Sequence, residues 1–271
     1  MDTPASDRES IRARLFAVRQ RIAQAEQRYG RARGGGSCAS CDVHGSTSVA
    51  GGMDVGSDRS PHLGILPGEV ALLAVSKACP VSAIRAAHEE GQMLFGESYL
   101  QEALPKIEAL YGQGIEWHFI GPLQSNKTRQ IAQHFAWVHG VDRELIAQRL
   151  SAQRFPSLPP LNICLQVKVG GEAQKAGVDV HDREALQRLA SRVAALPHIK
   201  LRGLMAIPAP MQDFDDQRRA FSVVREAFEK LNRDGFGLDT LSMGMSNDME
   251  AAIAEGATLV RIGSAIFGER K

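Results

Sequence analysis

The alternation of short apolar segments with helical patterns is the feature that most constrains the fold of this chain. Eight segments match buried strands, which are short apolar runs bounded by turn residues. They span residues 70–76, 93–95, 117–120, 137–141, 161–169, 201–207, 238–243 and 259–263. Helical patterns lie between most of them, for example at residues 82–90, 182–196 and 215–232. Eight strands that alternate with helices are typical of an α/β fold of the (β/α)8 or TIM barrel class.

A doubly wound open sheet is the alternative α/β architecture. That fold normally carries the glycine-rich turn G-x-G-x-x-G after its first strand, where a dinucleotide binds. Here the first strand candidate is followed directly by Lys77, and the motif does not occur in the sequence. The sequence therefore favours the barrel.

Two segments precede the barrel pattern. Residues 7–29 are predicted to form an amphipathic helix, because apolar residues recur there at steps of three and four. These residues are Ile11, Leu15, Val18, Ile22 and Ala25. Residues 30–68 are rich in Gly and Ser and have almost no apolar periodicity, which is typical of a disordered insertion. We therefore expect a helix in residues 1–29 that packs on the barrel, an insertion in residues 30–68 and the barrel in residues 69–271.

Charge and hydropathy exclude several classes of partner. The 32 basic and 31 acidic residues give a net charge of +1, so electrostatics favour neither nucleic acid nor an anionic membrane. No apolar run reaches the roughly 20 residues of a membrane span. The N-terminus has no apolar signal sequence, and four cysteines in 271 residues make no disulfide framework. We expect a cytoplasmic protein, and a monomer, since no apolar stripe indicates an interface.

A possible metal motif lies within the insertion. Cys38 and Cys41 form a C-x-x-C pair, and His44 follows. Structural zinc needs four protein ligands, and this segment offers three. We therefore predict no metal site.

Lys77 stands at the carboxyl end of the first strand candidate. A (β/α)8 barrel places its active residues at the carboxyl ends of its strands. Partial burial there favours the neutral amine, which a lysine needs in order to form a Schiff base. A solvated lysine at a strand end is the alternative interpretation.

The loops after the seventh and eighth strands match an anion site. In barrels of this class phosphate commonly binds at these two loops. After the seventh strand, Gly244 permits close backbone approach, and Ser246 or Asn247 is expected to cap a new helix with free N–H groups. After the eighth strand, Gly263 and Ser264 offer N–H groups and a hydroxyl. Each loop alone also fits an ordinary helix N-cap, but two on adjacent strands predict an anion site.

The sequence is compatible with two orientations of the Arg261 side chain, into the barrel or out of it. In the eighth strand it alternates with Val260 and Ile262 and so points away from them. An inward arginine would need an acceptor, such as a pyridine nitrogen, because barrel interiors are apolar. An outward arginine paired with a helix carboxylate is the alternative.

The loops after the second and third strands offer weaker candidates. His118 lies inside the third strand and is expected to be a core histidine. Gln124 and Asn126 follow it and are candidate donors at the barrel mouth. Tyr99, after the second strand, is a candidate for stacking or capping.

Six motifs occur together in one order along the chain. They are AVSK at 74–77, FGE at 95–97, WHFIGPLQSNK at 117–127, RGLMAIP at 202–208, GMSNDMEAA at 244–252 and VRIGSAIFG at 260–268. In this arrangement the chain resembles the pyridoxal phosphate homeostasis protein family, also called the YggS or PROSC type. The resemblance covers residues 7–29 and everything from about residue 69 to the end.

The resemblance implies a fold and a site. The fold would be a single-domain barrel of the alanine racemase type, PLP fold type III. Lys77 would be the Schiff-base lysine for pyridoxal 5′-phosphate, Arg261 would face the ring nitrogen, and three residues would hold the phosphate: Ser246, Gly263 and Ser264. The family's asparagine after Phe-Gly-Glu is replaced by Ser98, for which we expect no role. No catalytic residue and no metal ligand are implied.

Two kinds of function are compatible with such a site. A racemase needs a base on each face of the substrate, and alanine racemase takes its tyrosine base from a separate C-terminal domain, whereas this sequence ends just after the eighth strand candidate. An arginine opposite the ring nitrogen also leaves the ring a weaker electron sink. We therefore expect a non-catalytic protein of intracellular PLP homeostasis that buffers the cofactor or delivers it to PLP-dependent apoenzymes. The alternatives are a PLP-dependent racemase or related amino-acid enzyme, and a barrel enzyme that binds a phosphorylated metabolite through Lys77.

Overall fold

Parallel β-strands form a closed barrel in this computed structural model, which describes residues 5–30, 69–170 and 176–268. The strands are β1 Ala71–Val75, β2 Leu94–Glu97, β3 Glu116–Phe119, β4 Trp137–Val141, β5 Leu161–Lys168, β6 Val178–Asp179, β7 Ile199–Ala206, β8 Thr240–Ser242 and β9 Leu259–Ile262. The order is β4-β3-β2-β1-β9-β8-β7-β5, and pairing of β4 with β5 closes the ring. An open doubly wound sheet is thereby excluded, and the predicted (β/α)8 barrel is confirmed. The two-residue β6 lies beside β5 outside the ring and is too short to leave a periodic signal in the sequence.

Helices surround the barrel. They are α1 Ala5–Arg28, α2 Val81–Glu89, α3 Leu100–Ala109, α4 Thr128–His134, α5 Glu144–Gln153, α6 Arg183–Ala194, α7 Phe214–Arg233, α8 Met249–Ala254 and α9 Ser264–Phe267. The predicted segments agree with these elements to within two residues at most ends. Within the described ranges, no helix is both long enough and apolar enough to span a membrane.

Helix α1 packs on the outside of the barrel against α2, α8 and α9. The five apolar residues that predicted this helix are all buried. Its polar side reaches the loop after β8, where Arg21 donates to Glu250 Oε1 at 2.7 Å and to the Ser246 carbonyl at 3.3 Å. The insertion predicted at residues 30–68, with Cys38, Cys41 and His44, lies outside the described residues except for Gly30.

The barrel interior combines apolar clusters with a polar layer. Leu73, Leu94 and Leu259 form one buried cluster, and Trp137, Cys164 and Met205 form another. Burial raises the pKa of the Cys164 thiol to about 12, so this cysteine stays neutral. The polar layer includes His118, His139, Ser242 and Arg261, all of which are buried.

Candidate functional site

A cavity of about 420 Å³ opens at the carboxyl ends of the strands. This is within the usual range for a small-molecule site. All five residues predicted for the site line it: Lys77, Ser246, Arg261, Gly263 and Ser264. The structure therefore brings together side chains and loops that are up to 187 positions apart in the sequence, from residue 77 to residue 264.

Helix α3 holds the backbone on both sides of Lys77. Lys106 Nζ donates to the Ser76 carbonyl at 2.9 Å, and the Ala78 N–H donates to Glu102 Oε2 at 2.9 Å. Ala78 adopts a left-handed φ of 59°, which a residue other than glycine adopts only at a cost of about 1–3 kcal/mol. The half-buried Lys77 is thus presented to the cavity by a turn that α3 supports.

A buried ion pair underlies this support. Glu97 is fully buried, and its Oε1 accepts from Lys106 Nζ at 2.9 Å and from Ser76 Oγ at 2.6 Å. Burial raises the pKa of Glu97, and the bonds from Ser76 and Lys106 oppose that rise. Glu97 belongs to one of the sequence motifs, but the sequence did not predict its role. Its partner Lys106 lies on α3, and no local sequence pattern predicts that α3 places this lysine against β2.

The loop after β8 differs from its prediction in one detail. We expected Ser246 or Asn247 to cap helix α8, but the N-cap residue is Asp248. The reason is a local turn, in which Asp248 Oδ1 accepts from the Met245 N–H at 2.6 Å. That bond closes the segment around Ser246 and Asn247 before the helix begins, and it leaves both residues on the cavity wall.

Gly244 is required at the start of this loop. Its φ is +94°, and an added Cβ would lie 2.6 Å from the Cβ of Ala252. The structure thus gives Gly244 a packing role against α8, and its predicted close approach to an anion stays a prediction. The loop after β9 provides the neighbouring wall, where Gly263 precedes α9 and the exposed Ser264 borders the cavity.

Arg261 points into the barrel, so the inward alternative is confirmed. It is only 4% exposed. Nη1 donates to the Ser242 carbonyl at 2.5 Å and to Ser242 Oγ at 2.8 Å, and Nη2 donates to the Ala206 carbonyl at 2.9 Å. Burial lowers the pKa of Arg261 to about 10, and the nearby Asp248 opposes that shift. The guanidinium therefore stays charged at neutral pH and reaches the cavity as a fixed cation.

His118 is a core histidine with partners, as predicted. Its Nε2 lies 3.1 Å from Glu116 Oε1, and its Nδ1 lies 2.9 Å from His139 Nε2. His139 Nδ1 lies 2.8 Å from Ser242 Oγ. The chain of contacts thus runs from Glu116, at the start of β3, to the serine that holds Arg261.

These two histidines predict an acid-side loss of stability. Burial lowers the pKa of His118 and lowers that of His139 well below its usual range, so the unfolded state binds their protons more strongly. Stability should then be greatest above about pH 6.5 and should fall as the pH drops below it, by up to about 1 kcal/mol per histidine between about pH 7 and pH 5.5, with the larger part from His139. Urea unfolding of the wild type across this range measures the fall.

The control for this prediction is a pair of variants. His139→Asn removes one titrating group and should reduce the fall by about 1 kcal/mol, whereas substitution of the exposed His134 should not change it. The carboxyls of Glu97 and Asp248, whose pKa burial raises, act in the opposite sense and are common to all variants. An equal fall in His139→Asn and the wild type would contradict the prediction.

Several sequence candidates do not line the cavity. Gln124 and Asn126 are exposed, and neither is among the residues that line it. Tyr99 is 54% exposed and makes no side-chain cap to α3. A second lysine at the carboxyl end of a strand, Lys168 of β5, is also absent from the lining.

The cavity also contains residues that sequence reasoning did not select. Ser98, for which no role was expected, lies on its wall, as do Met211, Gln212 and Asp248. Ser98 and Asp248 follow the strand ends within or beside recognised motifs, so their positions were an available signal. Met211 and Gln212 lie in the connection between β7 and α7, which the barrel geometry alone brings to the mouth.

The architecture and the cavity define the class of protein. Residues 64–271 match the family model of the alanine racemase N-terminal domain. Alanine racemase from Corynebacterium glutamicum is 18% identical, with a TM-score of 0.58 over 73% of this chain and 55% of the racemase. That likeness concerns the fold alone. The chain is therefore a barrel of the alanine racemase N-terminal domain type.

Closer relatives narrow this class. The pyridoxal phosphate homeostasis protein of Pseudomonas aeruginosa is 59% identical over 204 residues, which cover 75% of this chain and 86% of the relative. That of Escherichia coli K12 is 52% identical over 220 residues, covering 79% and 92%. PipY of Synechococcus elongatus, solved with PLP bound, is 38% identical with a TM-score of 0.65, covering 73% and 92%. The chain belongs to the pyridoxal phosphate homeostasis protein family, as its motifs predicted.

Proposed function

We propose that this chain binds pyridoxal 5′-phosphate in the cavity at the barrel mouth and acts in the homeostasis of that cofactor. One observation carries the proposal: Lys77, Arg261 and the two loops after β8 and β9 meet in a single cavity. When bound, the cofactor supplies a reactive aldehyde on a pyridine ring that carries a phosphate. A primary amine, a guanidinium and hydroxyl-bearing glycine loops are the complementary groups.

Each residue has a role in this proposal. Lys77 supplies the amine that condenses with the aldehyde, with loss of water, to form a Schiff base. Arg261 donates toward the ring nitrogen, and because a guanidinium keeps its protons, it leaves that nitrogen unprotonated. Ser246 and Ser264 donate hydroxyl hydrogens to the phosphate, and the backbone at Gly263 approaches it closely. PipY, the relative solved with PLP bound, supports the ligand class.

The same geometry favours a carrier over a racemase. Racemisation needs a second base across the ligand from the lysine. Among the residues that line the described cavity, the ionisable ones are Lys77, Asp248 and Arg261. Asp248 Oδ1 accepts the Met245 N–H from its own loop, and Arg261 keeps its proton, so our proposal assigns neither of them the role of that base. The proposed role is therefore to buffer pyridoxal phosphate in the cytoplasm, as a monomer, and to release it to PLP-dependent apoenzymes.

Transfer and racemisation distinguish the two functions. The protein loaded with pyridoxal phosphate is mixed with an apoenzyme that requires the cofactor, and recovery of the apoenzyme's activity is followed. In parallel, L-alanine is added and the D-isomer is measured. We expect recovery of the apoenzyme and no racemisation beyond that caused by free cofactor. Failure to bind the cofactor, or racemisation that Lys77→Ala abolishes, would refute the proposal.

A further inference from the structure

A directional hydrogen-bond chain crosses the barrel interior beneath the cavity. It links Glu116, His118, His139, Ser242 and Arg261 through contacts of 3.1, 2.9, 2.8 and 2.8 Å. These residues come from β3, β4, β8 and β9, so the chain joins four strands of the ring. None of the roles assigned so far uses the two histidines.

The two ends of the chain fix its direction. A guanidinium only donates and a carboxylate only accepts. Arg261 Nη1 therefore donates to Ser242 Oγ, which leaves the serine hydrogen for His139 Nδ1. His139 must then carry its own hydrogen on Nε2 and donate it to His118 Nδ1. His118 in turn donates from Nε2 to Glu116, so both rings are in the Nε2–H form.

Burial keeps both rings neutral. His118 and His139 are fully buried, and a charged imidazolium is disfavoured there because it loses its hydration. His139 also faces the positive charge of Arg261, and this charge opposes protonation of the ring. A neutral His139 with a free Nδ1 is thus the state that fits its surroundings, which include Trp137 and His118 at ring-centre distances of 5.8 and 5.2 Å.

We infer that His139 is a positioning residue for Arg261 and acts through Ser242. If His139 Nδ1 did not accept, the hydroxyl hydrogen of Ser242 would compete with the Arg261 Nη1 hydrogen for the same region. The guanidinium would then lose one of its three acceptors, which lie on β7 and β8. His139 thereby fixes the orientation of the guanidinium that the proposed function assigns to the ring nitrogen of the ligand. The inference rests on the proposed function only for the identity of that ligand.

The first test uses the wild-type protein without ligand. Nitrogen-15 NMR of the histidine side chains at neutral pH should show both rings protonated at Nε2 and unprotonated at Nδ1. The side-chain signals of Arg261 in the same spectra should be resolved for individual Nη atoms, since a fixed guanidinium rotates slowly. A His139 ring that is charged, or protonated at Nδ1, would overturn the inference whether or not the protein binds pyridoxal phosphate.

The second test compares two isosteric replacements. His139→Asn keeps an acceptor near the position of Nδ1, whereas His139→Gln keeps a polar group near the position of Nε2 and loses that acceptor. We expect His139→Gln to weaken binding of pyridoxal 5′-phosphate about tenfold and to broaden the Arg261 signals of the ligand-free protein. His139→Asn should retain both properties. Ser242→Ala should behave like His139→Gln.

The outcomes separate the two proposals. Equal weakening by His139→Asn and His139→Gln, or none by either, would overturn the positioning role, because a merely structural histidine does not distinguish its two nitrogens. A wild type that shows the expected ring states but does not bind pyridoxal phosphate would refute the proposed function alone. In that case the Arg261 NMR signals of the ligand-free variants test the positioning role. Broadening in His139→Gln but not in His139→Asn would support it, and the same signals in both variants would overturn it.

Discussion

Lys106→Met is expected to lower the free energy of unfolding by about 3–5 kcal/mol. The substitution removes the buried partner of Glu97 and leaves that carboxylate without compensation in the space between β2 and α3. It also removes the donor to the Ser76 carbonyl. Denaturant unfolding measures the loss, and an unchanged m-value indicates that it reflects stability.

Two further variants control this result. The double variant Lys106→Met/Glu97→Gln removes both charges while keeping an acceptor for Ser76, and it should recover most of the loss, because neutral replacement of a buried pair is nearly neutral in stability. Lys230→Met breaks the exposed pair with Asp234 and should change stability by less than about 1 kcal/mol. If Lys106→Met lowers the free energy of unfolding no more than Lys230→Met does, the buried pair does not support the turn at Lys77.

Ser264→Ala is expected to weaken binding of pyridoxal 5′-phosphate selectively. The substitution removes one hydroxyl donor to a dianion, and a hydrogen bond to a charged group contributes about 1.5–3 kcal/mol. Affinity should fall by roughly 10- to 150-fold, whereas affinity for pyridoxal, which lacks the phosphate, should barely change. Equilibrium dialysis of both ligands gives the comparison.

Lys77→Ala provides the contrasting control. It removes the amine but leaves Ser246, Gly263 and Ser264 in place, so the phosphate should still bind non-covalently with reduced affinity. The spectrum of the covalent adduct should disappear. Equal weakening of both ligands by Ser264→Ala would show that the loop after β9 is not the phosphate site.

The barrel was predictable because its signal is local and repeated. Each strand is a short apolar run, each helix has its own periodicity, and their count limits the architecture. The position of Lys77 at a strand end then placed it at the mouth. Two neighbouring glycine loops placed Ser246 and Ser264 on the same side.

The supporting contacts were not predictable because they join distant elements. Alternation shows that Arg261 points away from Val260 and Ile262, but it does not tell which side is the interior. That depends on Ser242 and Ala206, which accept from Arg261 across two other strands. For the same reason, the ion pair between Lys106 on α3 and Glu97 on β2 could not be predicted.

Local chemistry also altered one predicted detail. A serine or asparagine N-cap is the usual preference, but Asp248 bonds the Met245 N–H and moves the start of α8 beyond Ser246 and Asn247. The competing side-chain bond is short and specific to this turn. N-cap preferences of single residue types do not account for such a side-chain bond to the backbone.

Covalent mapping of the cofactor tests the central proposal most directly. The protein is incubated with pyridoxal 5′-phosphate, reduced with borohydride and digested, and the peptide that carries the pyridoxyl group is identified by mass spectrometry. We expect the label on Lys77, which lines the cavity, and not on Lys168, at the end of β5. Label on Lys168 with Lys77 unmodified would contradict the assignment of the site.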